Sequence, residues 1–206
     1  MRSRFPIFAL GAVLGLCLAL PASAQNPERH EWIHPPSNLP KAGHGGSSIK
    51  LDTLFEALKI APDEDSAKAI EERIWAVWVV SASDTTNLLM SRVKAATDDK
   101  NYDLALKLLG AVIAINPKYI EAWNQRATIY YLKDDYGHAL ADIREVLALE
   151  PRHFGAWSGL GLILQDIGDD KHALEAYRKA LAIDPHLEHI PDVVKTLTEK
   201  VEGRDI

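Results

Sequence analysis

The 206-residue sequence predicts an all-α fold, a solenoid of stacked helical hairpins with an N-terminal helical hairpin and a C-terminal capping helix. Two observations indicate this class. Apolar residues recur at helical spacing from Ile49 onward, and residue types recur with a fixed period of 34 positions from about Thr86. Because one hairpin cannot bury its own apolar face, a stack of about three units with polar ends is expected.

The 34-residue period is carried by large residues, small residues and prolines at fixed positions. Small residues let paired helices approach closely, and a proline ends a helix because it lacks a backbone donor. The period predicts three copies over residues 86–119, 120–153 and 154–187. The matching positions include Trp123 and Trp157, then Ala105, Ala139 and Ala173, and then Pro117, Pro151 and Pro185.

At these positions the chain resembles the tetratricopeptide repeat family. The motif of that family places a large residue, a Leu-Gly-type pair and an aromatic on the first helix, and Ala, an aromatic, Ala and a following Pro on the second. The second copy has Arg126 where Leu is usual, and the first copy is degenerate. The resemblance implies a right-handed α-solenoid that binds other proteins. The third copy fits best, with Trp157, Leu160, Gly161, Leu164, Ala173, Tyr177, Ala180 and Pro185.

The resemblance also implies a concave groove lined by the first helix of each copy. Its mixture of side chains suits a protein or peptide partner held by hydrogen bonds and a few apolar contacts. It does not resemble the Lys- and Asn-rich clamp that some family members use for a C-terminal carboxylate. A surface without a partner is the alternative. The candidate groove residues are Met90, Lys94, Asn124, Thr128, Tyr131, Ser158, Leu162 and Gln165.

Residues 1–24 are predicted to be a signal peptide that exports the chain to the periplasm or out of the cell. Arg2 and Arg4 precede an uncharged apolar run from Phe5 to Leu20, and residues 22–24 read Ala-Ser-Ala, a small-x-small cleavage pattern. The run is shorter than the roughly 20 residues that span a bilayer, but a retained anchor stays open as the alternative. Cleavage would remove Cys17, the one cysteine of the chain, and with it any disulfide.

The net charge of the chain restricts the classes of partner that it is expected to bind. The net charge is −6, and it becomes about −8 if Arg2 and Arg4 are removed with the signal peptide. An acidic surface argues against nucleic acid and anionic lipid. We therefore expect no nucleic-acid partner and no stable membrane insertion after cleavage.

The segments that flank the repeats have simpler assignments. Residues 25–48 are rich in Pro and Gly and predict a flexible linker, in which Trp32 and Ile33 either dock on the protein or lie exposed. Residues 49–85 predict a helical hairpin broken at Pro62, which would close the front of the stack as a divergent fourth repeat or as a plain cap. Residues 188–206 predict a capping helix and tail, with Pro191 in the first turn and Gly203 as the stop.

The sequence shows no pattern typical of catalysis or of a cofactor site. Nucleophile elbows, His-Glu-x-x-His helices and phosphate-binding loops are missing, so we predict no enzyme and no cofactor. Histidine spacing leaves metal handling as the alternative function, through His30, His34 and His44 in the N-terminal segment. His186 and His189, three residues apart, could also share a helical face. A Pro- and Gly-rich segment would not hold imidazoles in place, so solvated or structural histidines are the simpler interpretation.

Overall fold

The computed structural model describes residues 51–81 and 83–203. The predicted signal peptide, the linker with Trp32 and Ile33, and the three N-terminal histidines lie outside these residues. Within them the secondary structure consists of nine α-helices without a strand, which confirms the predicted all-α solenoid. The helices are α1 (Leu51–Lys59), α2 (Glu64–Val79), α3 (Asp84–Asp98), α4 (Tyr102–Ile115), α5 (Ile120–Leu132), α6 (Tyr136–Leu149), α7 (Phe154–Asp166), α8 (Asp170–Ile183) and α9 (Ile190–Val201).

The three repeats are the hairpins α3–α4, α5–α6 and α7–α8, and they share one turn geometry. The residues at the bends are Lys100, Asp134 and Gly168, which lie 34 positions apart. Their φ angles are positive, at 56°, 58° and 84° respectively. A left-handed residue after a helix lets the N–H of the following residue donate to a carbonyl five positions earlier. In the second repeat the N–H of Asp135 donates to the carbonyl of Tyr130 at 2.9 Å. The side chain of Asp135 then caps α6, so the same few residues end one helix and begin the next.

Close approach within a repeat depends on small residues facing a large one. Ala105, Ala139 and Ala173 at the equivalent position of the three second helices are fully buried. In the third repeat a Cβ on Gly161 would stand 2.7 Å from the ring of Tyr177, so α7 and α8 meet at a contact that only glycine permits.

The C-terminal helix α9 occupies the place of a fourth first helix. Its Ile190 and Leu197 are buried against α8, as the sequence predicts for a cap. Ion pairs at the edge fix its orientation, since Arg178 on α8 binds the carboxylate of Glu202 at 2.7 Å and Lys200 binds Asp170. The outer face of α9 carries exposed polar residues and ends the stack in water.

The N-terminal hairpin α1–α2 does not close the front of the stack, and that prediction is wrong. The hairpin lies along the edge of the solenoid, across the turns that precede α5, α7 and α9. The hydroxyl of Tyr119 donates to the carbonyl of Val79 at 2.6 Å, and the ring of Trp78 stacks on His153 with centroids 4.0 Å apart. At the third turn, which precedes α9, His186 Nε2 lies 3.0 Å from the carbonyl oxygen of Ala61 in the hairpin.

The composition of α2 explains this placement. Its two tryptophans and Ile74 are nearly fully buried and need a broad apolar surface. The three successive turns offer one, because Tyr119, His153 and Leu187 recur 34 positions apart along the same edge. The hairpin therefore ties the beginning of the second repeat to the end of the third.

Replacing Gly161 by Ala is expected to lower the free energy of unfolding by about 1 to 3 kcal/mol, because Tyr177 is buried and cannot move aside. The matched control is Gly110→Ala on α4, where a Cβ would meet nothing within 4 Å. That change should raise stability by about 0.5 to 1 kcal/mol through helix propensity. Urea unfolding followed by circular dichroism measures both, and equal effects of the two substitutions would contradict the close approach of α7 and α8.

Candidate interaction surface

The first helices α3, α5 and α7 carry the predicted groove residues, and the structure places them at different depths. Lys94 is exposed and pairs with Asp98 at 3.0 Å, while Met90 and Gln165 are half-buried. The other five are buried, with 6% of Tyr131 exposed and less of the rest: Asn124, Thr128, Tyr131, Ser158 and Leu162. Most of the predicted groove is therefore not an open surface in this conformation.

A polar network joins the buried residues of α5. The hydroxyl of Thr128 donates to the carbonyl of Asn124 at 3.0 Å, and the amide of Asn124 lies 3.4 Å from a carboxylate oxygen of Glu121. Tyr131 donates to the carboxylate of Asp166 at 2.7 Å and so links α5 to the end of α7. Buried polar groups cost free energy unless they are paired, so this face is held together by its own hydrogen bonds.

Glu121 is the most perturbed acid of this face. It is fully buried, and burial raises its pKa to about 7, although hydrogen bonds from Gln125 and Asn124 oppose the shift. The amide of Gln125 donates to Glu121 at 2.9 Å. At neutral pH this side chain is therefore balanced between a charged acceptor and a neutral carboxylic acid.

The hairpin α1–α2 covers the first turn of α7. The ring of Trp75 lies where a Cβ on Gly155 would be 3.1 Å away, and it meets Phe154 edge-on at a centroid distance of 5.6 Å. Gly155 occupies the same repeat position as Glu121, at the beginning of the expected groove. The chain thus fills part of its own concave surface with an aromatic side chain.

His153 connects the hairpin to α7 as a neutral aromatic ring. It caps α7 by accepting the N–H of Ala156 on Nδ1 at 3.0 Å, which requires an unprotonated nitrogen. The ring is fully buried between Trp78 and Trp75, and burial lowers its pKa to about 3. His153 therefore stays uncharged across the physiological range.

The far end of the hairpin meets the turn between α8 and α9 at a pair of acids. Glu71 on α2 lies close to Asp184, which is fully buried and accepts the N–H of His186 at 3.0 Å. Burial and the neighbouring Asp184 raise the pKa of Glu71 to about 8, and burial raises the pKa of Asp184 as well. Lys68 opposes the shift of Glu71 and Glu188 adds to it. At neutral pH the two carboxyl groups therefore hold a proton between them.

Sequence reasoning missed the edge contacts of Trp75, Trp78, Tyr119 and His153. A usable signal was present, because Tyr119 and His153 stand at one repeat position and both are large, while α2 carries two tryptophans. Nothing in the spacing says that the two sets meet, since more than 70 residues separate Trp78 from His153.

Among residues 51–81 and 83–203, no group of three or more His, Cys, Asp or Glu is arranged to hold a metal ion. His186 and His189 do not share a helical face. His186 faces the hairpin, and His189 precedes α9 with a left-handed φ of 63°. None of the helices in this part of the chain has the length and apolar character that crossing a membrane requires.

Replacing Glu71 by Gln should flatten the pH dependence of stability. The pKa of Glu71 is about 8 in the folded chain, and its ordinary value is 4.5. Between pH 4.5 and pH 8 the folded chain therefore binds more protons than the unfolded chain. The free energy of unfolding therefore falls as pH rises through this window. A neutral Gln removes this contribution, so the loss between pH 5 and pH 8 should shrink by about 1 kcal/mol or more.

Urea unfolding followed by tryptophan fluorescence at several pH values measures this loss. Glu56→Gln, an exposed change on α1, is the control and should keep the slope of the unaltered chain. An unchanged slope in Glu71→Gln would contradict the shared proton.

Comparison with known proteins supports this geometry. Residues 120–153 and 155–187 each match a family model described as tetratricopeptide repeat. A TPR repeat-containing protein of Rhizobium etli is 40% identical over 94 residues, which are 46% of this chain and 46% of that relative, so the match spans less than half of its length.

Two solved structures are also similar. The Sgt2 TPR domain from Aspergillus fumigatus is 27% identical with a TM-score of 0.54, covering 58% of this chain and 81% of that one. The first TPR of Spaghetti (RPAP3), solved with the HSP90 peptide SRMEEVD, shares the fold at 16% identity and a TM-score of 0.54, over 57% of this chain and 93% of that one. The fold is one of protein-interaction scaffolds, which are generally not enzymes. The repeat matches, the relative and the stacked hairpins together show that residues 120–187 of this chain are built of tetratricopeptide repeats.

Proposed function

We propose that the chain is an exported bacterial scaffold that binds a peptide or protein partner on the concave face of α3, α5 and α7, without turnover. The observation that carries this proposal is the match of two stacked hairpins to the tetratricopeptide repeat, with Lys94 exposed and Met90 half-buried at the α3 end of the row of first helices. The peptide complex of the Spaghetti repeat supports the same class of function. Envelope assembly, secretion or maturation are processes in which an exported scaffold of this kind would serve.

The hairpin α1–α2 and a partner would share this face. At the α3 end Lys94 is exposed and Met90 half-buried, so a partner can reach them directly. At the α7 end Trp75 lies on Gly155, so a partner must displace the hairpin to bind there. Binding would therefore begin at α3 and extend toward α7 as the hairpin moves.

The charges of the face favour a partner without a cluster of acids. Asp98 is exposed and Asp166 is half-buried, and Lys94 is already paired with Asp98. An acidic peptide would meet like charges at these positions. We propose a neutral or basic segment with a few apolar side chains.

A photoreactive phenylalanine in place of Met90 is expected to crosslink the partner in living cells, because this half-buried side chain lies on α3, away from the contact of Trp75 with Gly155. The same residue in place of Lys179, exposed on α8, is the control and should give no product of the same mass. Adding Trp75→Ala should raise the yield at Met90 severalfold, since it weakens the contact that the partner must replace. Equal yields at the two positions would rule out the concave face.

Export gives a second test. If residues 1–24 are a signal peptide, the chain recovered from a periplasmic extract begins at Gln25 by N-terminal sequencing. Replacing Ala22 and Ala24 by Leu should block processing, because the peptidase accepts small residues at these positions, and the precursor should accumulate in the membrane fraction. A chain found in the cytoplasm with Met1 intact would refute export.

A further inference from the structure

A partly open crevice runs between the first helices α5 and α7 on the concave side of the stack. On α5 it is lined by the polar side chains of Asn124, Thr128 and Tyr131, and on α7 by Gly155 and Gly159, which carry no side chain. Glycine lets another main chain approach a helix closely. The crevice therefore has a shape and a polarity that suit an extended segment of polypeptide.

Ser158 is a second indication that this crevice takes a ligand. It lies between the two glycines of α7, at the repeat position of Asn124, and shares their face at helical spacing. Its side chain is fully buried, and its hydroxyl makes no hydrogen bond with any residue that the structure describes. A buried hydroxyl without a partner is unfavourable. A carbonyl or N–H group of a segment laid along the crevice would supply that partner.

The described part of the chain begins beside this crevice. Helix α1 starts at Leu51, and the carboxylate of Asp52 binds the guanidinium of Arg152 at 2.7 Å. Arg152 also lies over the ring of Phe55, 4.4 Å from its centroid. Because Arg152 directly precedes His153, which caps α7, the chain before Leu51 is joined to the stack close to the first turn of α7.

The sequence before α1 is long enough to reach along the crevice. Residues 42–50 form a connector rich in Gly and Ser, and residues 25–41 form a proline-rich block that contains Trp32 and Ile33. Both lie outside the residues that the structure describes. A connector of this length and composition has a root-mean-square end-to-end distance of about 17 Å, and the 13 residues of α7 extend over about 20 Å. The block is therefore within reach of the crevice at a millimolar effective concentration.

The composition of the proline-rich block matches the chemistry of the crevice. Proline-rich sequences favour an extended chain without internal hydrogen bonds, so their carbonyl groups can accept from a side chain such as Ser158. The charges of the block cancel, so it meets no net repulsion from an acid such as Asp166. Its charged residues are two acids and two bases, namely Glu28, Glu31, Arg29 and Lys41.

We propose that residues 25–41 bind in the crevice between α5 and α7 of their own chain, with Trp32 and Ile33 as apolar anchors, and compete there with the partner. This inference rests on the proposed function, because it takes the concave face to be a peptide-binding surface. Trp75 already covers Gly155, so the block binds along the remaining part of the crevice, beside Ser158 and Gly159.

Fluorescence anisotropy of a labelled synthetic peptide with the sequence of residues 25–41 tests this on the full chain as recovered from cells. In the unaltered chain the block occupies the crevice, so the peptide should bind weakly. Trp32→Ala with Ile33→Ala empties the crevice, and the peptide should then bind at least about tenfold more tightly. A peptide that carries the same two changes is the control, and it should bind this double variant at least about tenfold more weakly.

Ser158→Ala, added to the double variant, separates a binding role from a structural one. Because the hydroxyl has no partner within residues 51–81 and 83–203, its removal should leave the melting temperature within about 2 °C. It should weaken binding of the peptide about three- to tenfold. The matched control is Ser91→Ala, an exposed change on α3, which should leave the affinity within about twofold.

A photoreactive phenylalanine in place of Trp32 identifies the occupant of the crevice. In the purified chain at about 1 µM, far below the effective concentration within one molecule, it should crosslink to α5 or α7 of the same chain. A crosslinked dimer would assign the crevice to the block of a second copy and would overturn binding within one chain.

Three results with the peptide would also overturn the proposal. They are equal affinity for the unaltered chain and the double variant, no binding to either, and undiminished binding after Ser158→Ala. Any of these leaves the proposed function standing if the photoreactive residue at position 90 still crosslinks a partner in cells. If the peptide binds as expected but position 90 gives no product, the proposed function fails while residues 25–41 remain a ligand of the crevice.

Discussion

The whole stack depends on two positions on each of α5, α7 and α9, which are buried against the second helix of the preceding repeat. A helical hairpin has apolar side chains on more than one side, and pairing within the hairpin covers only one of them. Ala156 and Ile163 on α7, or Ile190 and Leu197 on α9, reach the core only because another hairpin precedes them. Each repeat therefore stabilises the next, and the ends are where the chain must find a different solution. At the C-terminus that solution is α9, with apolar residues inward and charges outward.

The N-terminal hairpin buries its own tryptophans against the repeats, and it thereby covers part of the surface of α7. Its two tryptophans are buried on the edge rather than at the front, where Trp78 stacks on His153 and Trp75 closes over Gly155. Exposing these large apolar side chains to water would be unfavourable, so they pack against the apolar edge of the solenoid. The same contact removes the beginning of α7 from solvent. A surface that would otherwise be open to a partner is thus partly occupied by the chain itself.

The buried acids of this fold are stabilised either by amide donors or by protonation. Glu121 is held by two amides, and Glu71 with Asp184 keeps a shared proton beneath the turn that precedes α9. His153 contributes no charge, because its capping bond and its burial both require the neutral ring. The contacts between the hairpin and the repeats near α7 therefore combine stacked aromatic rings with one ion pair, between Asp52 and Arg152, whereas the acids with raised pKa values, Glu71 and Asp184, lie at the α8–α9 end.

The sequence by itself determined the periodic part of this protein. The all-α class, the hairpins, the prolines between them and the capping helix follow from the spacing of small and apolar residues, because that spacing acts locally or between neighbouring repeats. Only the tertiary structure decided where α1–α2 lies and how deeply Asn124, Thr128, Tyr131, Ser158 and Leu162 are buried. The repeat register placed these residues on the first helices, but it could not tell whether they face solvent. The contacts between α1–α2 and the repeats join residues that are far apart in the chain. They depend on complementary shape and apolar area, so they recur at no fixed sequence interval that a periodic pattern could predict.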